Sequence, residues 1–313
     1  MKHILEKIKE YETIIIHGHI RPDGDAIGSQ YGLMYLIKAS FPSKKVYVSG
    51  ETSDYVSFIG NPNFIDEALF SNALSICVDT PVSNRLSDNR YNMAKYSIKI
   101  DHHLKDEEYA DYEYIDDTSA SCAEIIVEFF MNNKSELVMT KECAEALLIG
   151  MMTDTGNFKY DKVNSKTFLC ASVLMNYNID LNYINKYLYS ERLELLKLKG
   201  YCLSNFKITE SGFAYIILNK KTINEYNVTD EEASSLVYLL STIKDVPAWA
   251  MFIENDNEIR IRLRSKGPNI NNLAKIYNGG GHEKASGAKL NSWNELDKFL
   301  KEADDLLRKY KEA

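Results

Sequence analysis

His19-Ile-Arg-Pro-Asp23-Gly-Asp25-Ala-Ile-Gly28-Ser29 follows the short apolar run Thr13-Ile14-Ile15-Ile16 and precedes a segment of helical periodicity. A strand that ends in a histidine and two aspartates, then turns straight into a helix, points to an open α/β sheet. Such sheets place their chemistry outside the carboxyl ends of the strands. The stretch therefore presents His19, Asp23 and Asp25 as three candidate metal ligands at one sheet edge. Pro22 stiffens the turn between strand and helix.

Outward from this loop, short apolar strands alternate with helical segments up to about residue 180. Strands are expected at 13–17, 45–48, 73–78 and 96–100. Helices are expected at 26–38, at 122–131 after a Thr118-Ser119 capping pair, at 141–152 and at 165–176. Alternation of this kind, with strands apolar on both faces, means a mostly parallel sheet covered by helices. Pro62 and the Asp/Asn-rich segment 87–92 mark loops. From 181 to 203 the pattern is continuously helical, with no strong breaker before Gly200, and reads as the connection between domains. Beyond it come strands at 213–218, 248–254 and 258–264, the last two joined by a tight Asn255-Asp256-Asn257 turn. Helices are expected at 231–243, 272–277 and 293–311. The expected organisation is an α/β domain over 1–180, a helical linker over 181–210 and a smaller α+β domain over 211–313.

Composition sets the bounds. At 313 residues the chain exceeds what one core usually serves. The apolar runs 14–16 and 146–149 are too short to span a bilayer. The amphipathic, mixed-charge pattern at 1–10 lacks the apolar core of a signal peptide. A cytoplasmic protein without a membrane partner is expected. Five cysteines, an odd number with no C-x-x-C pair, suggest neither a zinc knuckle nor a disulfide framework, but small core residues. The net charge of −8 argues against a general nucleic-acid coat protein, while leaving room for a local site for a short phosphorylated ligand.

Further acids and histidines follow the other strands. The run Ala-Leu-Ser-Ile-Cys-Val leads into Asp79, and Tyr-Ser-Ile-Lys-Ile leads into Asp101-His102-His103. Asp154 closes the helical run Ala-Leu-Leu-Ile-Gly-Met-Met-Thr. Parallel strands bring their carboxyl ends to one edge, so these groups can converge. A single such Asp is as often a turn residue or helix cap. Four separate placements, and three polar residues directly after an apolar strand, are harder to explain by packing. Imidazole and carboxylate ligands without Cys suit manganese, with magnesium, cobalt or zinc also compatible. His19, Asp23, Asp25, Asp79, His102 and Asp154 are too many for one ion with open positions and suit two ions sharing a carboxylate. Two ions ~3.5–4 Å apart form the arrangement used for phosphoryl transfer to water, with in-line attack by hydroxide.

These motifs carry a resemblance. His-x-x-Pro-Asp-x-Asp, a lone strand-end Asp, Asp-His-His and a later Thr-Asp-Thr-Gly resemble the four motifs of the DHH phosphoesterase superfamily. Gly279-Gly280-Gly281-His282-x-x-Ala285-x-Gly287 resembles the signature of the DHHA1 domain. Within the superfamily the chain is most similar to the bacterial nanoRNase and pAp-phosphatase group, which includes enzymes that split pApA, the linear product of cyclic di-AMP breakdown. The resemblance implies a parallel-sheet DHH domain joined by a helical linker to a smaller α+β DHHA1 domain, with the active site in the cleft between them. It implies that His19 and Asp23 bind one metal and Asp25, His102 and Asp154 the other, with Asp79 bridging. His103 would face the substrate phosphate as hydrogen-bond donor or proton source, and Asp101 would orient the pair. The implied cofactor is two manganese ions, with magnesium or cobalt as substitutes. His17, two residues before the motif, reads as a strand-end histidine with a structural hydrogen bond.

The second domain reads as the substrate's binding partner. In Glu258-Ile-Arg-Ile-Arg-Leu-Arg-Ser, Ile259, Ile261 and Leu263 alternate with Arg260, Arg262 and Arg264. Residues 259–289 hold seven Lys/Arg and a single acid, Glu283, in a chain that is acidic overall. A glycine run lets the backbone approach a ligand and offer its N–H groups. The family pattern implies that Arg264, Ser265, Gly279, Gly280, Gly281 and His282 hold the 5′-terminal phosphate or base. The expected substrates are short 5′-phosphorylated oligonucleotides, such as pApA and nanoRNA, and adenine nucleotides such as pAp. Long duplex nucleic acid is not expected, because no extended basic groove is evident; a homodimer is allowed. The alternatives are a manganese-dependent pyrophosphatase or exopolyphosphatase of the same superfamily, and a nucleotide-binding sensor without catalysis. An amidohydrolase barrel, suggested by His17-Gly-His19, would need more histidines on later strands than this chain has.

Overall fold

The structure, a computed structural model, describes all residues except 54, 55, 257 and 313. Two compact units divide the chain, Met1–Ser190 and Glu191–Ala313.

The first unit runs α1 (Lys2–Glu10), β1 (Thr13–His17), α2 (Gly24–Ser40), β2 (Lys45–Ser49), β3 (Leu74–Val78), β4 (Tyr96–Asp101), β5 (Tyr112–Ile115), α3 (Cys122–Asn132), α4 (Lys141–Asp154), α5 (Ser165–Met175) and α6 (Leu181–Tyr189). Its five strands are parallel, in the order β2-β1-β3-β4-β5. Pairing of Ile14 with Leu74, Ile16 with Ile76 and Ile76 with Ile98 gathers these side chains on one face. There they form a core with Ile27 and Leu33 of α2, Ile126 of α3 and Leu147 of α4. The strand order turns back at β1, between β2 and β3, and a crevice opens at such a switch point.

The opposite face mixes apolar and polar groups: Ile15 packs there with Ile65 and Phe70, while His17, Ser75 and Lys99 are also buried on it. Phe70 and Tyr91, from short 3₁₀ turns at 67–72 and 89–93, lie against His17. His17 Nε2 lies 3.1 Å from Ser75 Oγ, the structural bond expected of it. Burial pulls the His17 imidazole down to about 4. All five cysteines are buried and free. No helix among the described residues is long and apolar enough to cross a membrane.

Close helix approach brings the ligand-bearing elements together. A Cβ at Gly28 of α2 would lie 2.5 Å from the Ala146 carbonyl oxygen of α4. One at Gly150 of α4 would lie 2.9 Å from Asp25 Oδ1. Only glycine permits this spacing at both positions.

Two local expectations are corrected, and one strand lies outside those expected. The cap of α3 is Ser121, whose hydroxyl accepts the Glu124 amide; Thr118 and Ser119 instead donate to Asp116. The helical run 181–203 is broken at 190–192, where Ser190 and Arg192 are extended. Glu191 pairs there with Lys199 and Arg192 with Glu232, while Gly200 lies inside the following helix. Strand β5 carries no clear sequence signal, because it is a four-residue, half-buried edge strand without an apolar run.

The second unit runs α7 (Leu193–Asn205), β6 (Lys207–Ile208), β7 (Phe213–Leu218), α8 (Lys220–Glu225), α9 (Asp230–Ser235), β8 (Ala248–Glu254), β9 (Ile259–Ser265), α10 (Asn271–Ile276), β10 (Gly280–Gly281), β11 (Ala285–Leu290) and α11 (Leu296–Glu312). Its six-stranded sheet has the order β10-β11-β9-β8-β7-β6 and is antiparallel except between β7 and β8. Strands β8 and β9 pair as the expected hairpin, although Asn257 of its turn lies outside the described residues. The helix expected at 231–243 is α9 followed by a 3₁₀ segment, Leu236–Thr242.

The loop before β4 buttresses the segment that follows β1. Ile20 N–H donates to the Arg85 carbonyl at 2.7 Å, and Ser87 N–H to the Gly18 carbonyl at 3.0 Å. Asp88 anchors this loop by accepting from the Ser49 hydroxyl and from Arg90 Nη2 at 2.8 Å. Burial works against the Asp88 carboxylate, but the Arg90 guanidinium and Ser49 hydroxyl outweigh it and hold the group well below the usual range. A depressed carboxylate stabilises the fold above its ordinary pKa of about 4, and that contribution fades as the pH falls. Asp88→Asn is expected to cost about 1.5 kcal/mol at pH 7, typical of charge-assisted bonds, and less at pH 3–4; urea titrations at both pH values read the difference.

Candidate metal centre

The carboxyl ends of β1, β3 and β4 lie side by side, and the residues after them face one another. His19 Nε2 is 3.7 Å from Asp23 Oδ1 and 3.6 Å from Asp79 Oδ2. His102 Nε2 is 3.4 Å from Asp79 Oδ1, 3.4 Å from Asp154 Oδ2 and 3.9 Å from Asp25 Oδ2. Asp79 thus turns one oxygen to each histidine. Three groups bring their ligand atoms within 4.8 Å: His19, Asp23 and Asp79; Asp25, His102 and Asp154; and Asp79, His102 and His103. All six residues expected as metal ligands converge here.

Each is held by its backbone context. Asp23 caps α2, its Oδ1 accepting the Asp25 and Ala26 amides, so the capping reading and a place at the centre hold together. Asp25 is buried, and its two oxygens accept the Cys122 and Ala123 amides at 2.6 and 2.9 Å. These amides open α3, where the helix dipole favours a carboxylate. Asp79 sits at φ +52° directly after β3, a left-handed conformation that costs energy in a non-glycine residue and is common at functional sites. His19 Nδ1 faces the Ile20 carbonyl at 2.9 Å, and His102 Nδ1 faces the Ser119 carbonyl at 3.4 Å. A carbonyl only accepts, so Nδ1 carries a proton and Nε2 is the nitrogen turned to the centre, where it would offer its lone pair to a bound cation.

The separations fit cations better than direct bonds. At 3.4–3.9 Å the Nε2–carboxylate gaps exceed hydrogen-bond length. Ligands ~2.1 Å from a common ion stand about 3.0–3.4 Å apart. Asp79 Oδ1 is buried without a hydrogen-bond partner. Burial and the Asp79 charge raise Asp25 well above the usual carboxylate range, and burial with the Asp79 and Asp23 charges moves Asp154 up to about 6. Burial alone would lower the two histidines, but the carboxylates facing them prevail. They raise His19 to about 10 and His102 to about 9. The centre gathers more negative charge than its own histidines offset.

His103 is arranged differently. It is half-exposed, and its Nδ1 bonds Asp101 Oδ1 at 2.8 Å. That oxygen also takes the His102 and His103 amides. His103 Nδ1 lies 3.7 Å from Asp79 Oδ1.

The residues expected to hold substrate cluster separately, in the second unit. Pairing sets Ala285 opposite Arg264, and Ser265 N–H donates to the Lys284 carbonyl. The glycine run is partly strand: Gly280 pairs with Gly287, and Gly281 with Ser286 at φ +134°. His282 is exposed. Arg264 is half-buried with Nη1 on the Leu263 carbonyl; burial, then Arg262, pulls its pKa down. Ser265 Oγ donates to the Pro268 carbonyl and accepts the Gly267 amide, so it shapes the turn. Arg260 and Lys289 share Glu258, and with Arg262 and Gly287 they line a shallow depression that alternation along β9 only hinted at.

Residues 13–151 match the DHH family, N-terminal domain, and residues 211–309 match the DHHA1 domain. The chain is 36% identical over 308 residues to the bifunctional oligoribonuclease and PAP phosphatase NrnA of Bacillus subtilis (strain 168), covering 98% of both chains. It is 40% identical over 308 residues to the probable bifunctional oligoribonuclease and PAP phosphatase NrnA of Streptococcus mutans, covering 98% of this chain and 99% of the relative. Among solved structures it resembles an exopolyphosphatase-related protein from Bacteroides fragilis, with TM-score 0.81 and 28% identity over 98% of this chain and 97% of the other. The chain belongs to the DHH phosphoesterase family.

A metal-free preparation titrated with manganese is expected to take up two ions per chain by calorimetry. Asp79→Ala, which removes the two oxygens that face His19 and His102, should lose both binding events rather than one.

Proposed function

We propose that the protein is a manganese-dependent phosphodiesterase that hydrolyses short 5′-phosphorylated oligonucleotides, pApA and nanoRNA among them, to mononucleotides, and that it also removes phosphate from pAp. The observation that carries this reading is Asp79, whose Oδ2 lies 3.6 Å from His19 and whose Oδ1 lies 3.4 Å from His102. One carboxylate between two imidazoles is what a two-cation site needs.

His19 and Asp23 would hold one ion and Asp25, His102 and Asp154 the other, with Asp79 common to both. The bound ions supply charge stabilisation at the phosphate and a water ionised near neutral pH. The chain does the rest. Asp101 fixes the His103 ring through Nδ1 at 2.8 Å, so that Nε2, when the ring carries its second proton, can donate to a phosphate oxygen or to the departing oxygen. Arg264, Gly279–Gly281 and His282 would bind the 5′ end, and Ser265 supports their turn. A terminal phosphate held at a fixed site acts as a ruler that favours very short substrates.

The names of the relatives support the oligonucleotide and pAp substrates. A further relative, 25% identical over 301 residues, is the cyclic-di-AMP phosphodiesterase PdeA of Listeria monocytogenes, of which the chain spans 44%. Half-buried Arg264 beside Arg262 supports an anionic ligand in the second unit. The exopolyphosphatase-related neighbour supplies the second reading, an inorganic polyphosphate or pyrophosphate substrate.

Parallel assays of pApA, pAp, short RNA and pyrophosphate with manganese separate these readings. The expected order has a nucleotide substrate fastest; pyrophosphate turning over faster than every nucleotide would overturn the proposal. Arg264→Ala should raise KM for nucleotides by about tenfold or more, the value of a lost charge-assisted bond, with kcat changing less. Unchanged KM values for all nucleotides would remove Arg264 from the substrate site.

A further inference from the structure

Lys99 is the only lysine or arginine that is buried among the described residues. It lies in the middle of β4, an interior strand between β3 and β5, where apolar side chains are the rule. An ammonium withdrawn from water is tolerated only where its donors find acceptors. Lys99 Nζ donates to the Pro81 carbonyl at 2.7 Å and the Glu107 carbonyl at 3.2 Å, and it faces Asp101 Oδ2 across 3.8 Å, a distance for charge attraction rather than a hydrogen bond. It rests 4.7 Å from the centre of the Tyr109 ring, whose hydroxyl donates to the Thr80 carbonyl. Glu113 stands beside it in register on β5, but one carboxylate oxygen there is taken by the Tyr109 amide.

The three neighbours are not a random set. Pro81 comes two residues after Asp79, and Glu107 four after His103. Asp101 is the carboxylate that holds the His103 ring on its other oxygen. A methionine would fill the same volume, but would neither draw these three segments to one point nor offset the Asp101 charge on the side away from His103. We propose that Lys99 is a positioning residue for the hydrolytic step, aligning the Asp101 carboxylate so that the His103 ring keeps its direction toward the substrate. The inference rests on the reading of His103 as the residue that faces the substrate phosphate.

Lys99→Met removes the donors at similar volume, and Lys99→Gln keeps an amide for the Pro81 carbonyl. Each is combined with His103→Ala, and kcat and KM for pApA, manganese affinity and the melting curve are measured for every variant. Each single Lys99 substitution should lower kcat by about 10–100-fold, as for lost partners of site residues, with KM and manganese affinity unchanged. The double variants should be no slower than His103→Ala, because both changes act through one imidazole. Losses that multiply, an unchanged kcat in folded Lys99→Met, or manganese affinity falling in step with kcat would each overturn the proposal. If Lys99→Met does not fold, Lys99→Gln decides. If neither folds, the same cycle with Asp101→Asn decides, multiplying losses again counting against it. A His103→Ala protein as fast as the parent would instead overturn the assignment of His103, a separate result.

Discussion

Like charges crowded at one sheet edge are the constraint on which the first unit depends. Asp25, Asp79 and Asp154 surround His102 within 3.9 Å, and Asp25 and Asp79 are buried. Carboxylates so placed repel one another and resist ionisation, and burial compounds the cost. The chain meets part of it with dipoles: the first amides of α3 end on Asp25, and those of α2 end on Asp23. The remainder is what divalent cations would neutralise. The proposed centre is thus an electrostatic deficit built into the fold, and its chemistry follows from what fills it.

Geometry elsewhere serves that deficit. The reversal of strand order at β1 opens the crevice, and the glycine contact between α2 and α4 lets Asp25 and Asp154 approach the same histidine. The left-handed turn at Asp79 aims one carboxylate between two imidazoles. Backbone carbonyls of Ile20 and Ser119 fix both rings with Nε2 inward. These are constraints on direction rather than proximity. They separate a centre whose ligand atoms share a point from a group of acids that merely lie close.

Much of this was legible in the residues. The runs ending at His17, Val78 and Asp101 are short, apolar and β-branched, and the strands formed where those residues stand. The convergence of the candidate ligands was legible because strand-end acids and histidines recur at motif spacing. Weak local signals were missed. Strand β5 has no apolar run, and strands β6 and β10 are two residues each. The interruption at 190–192 lies in a sequence with good helical periodicity and coincides with the boundary between the two compact units, which periodicity does not mark. Lys99 was visible as a lysine inside an apolar strand, but its meaning depended on Pro81 and Glu107, neither predictable as its acceptor.

By itself the sequence determined the order and type of most elements, because hydrophobic periodicity and turn residues act over a few positions. It also determined the chemical character of the candidate site, since ligand type follows from side-chain identity. Tertiary structure alone decided how each candidate residue is placed. It distinguished His102, with Nε2 turned to three carboxylates, from its neighbour His103, held by Asp101, although the two are adjacent in the chain. It gave Ser265 to a turn. The physical reason is that ring orientation and hydrogen-bond acceptance depend on atoms supplied from distant segments, such as the Ser119 carbonyl, and spacing along the chain carries no record of them.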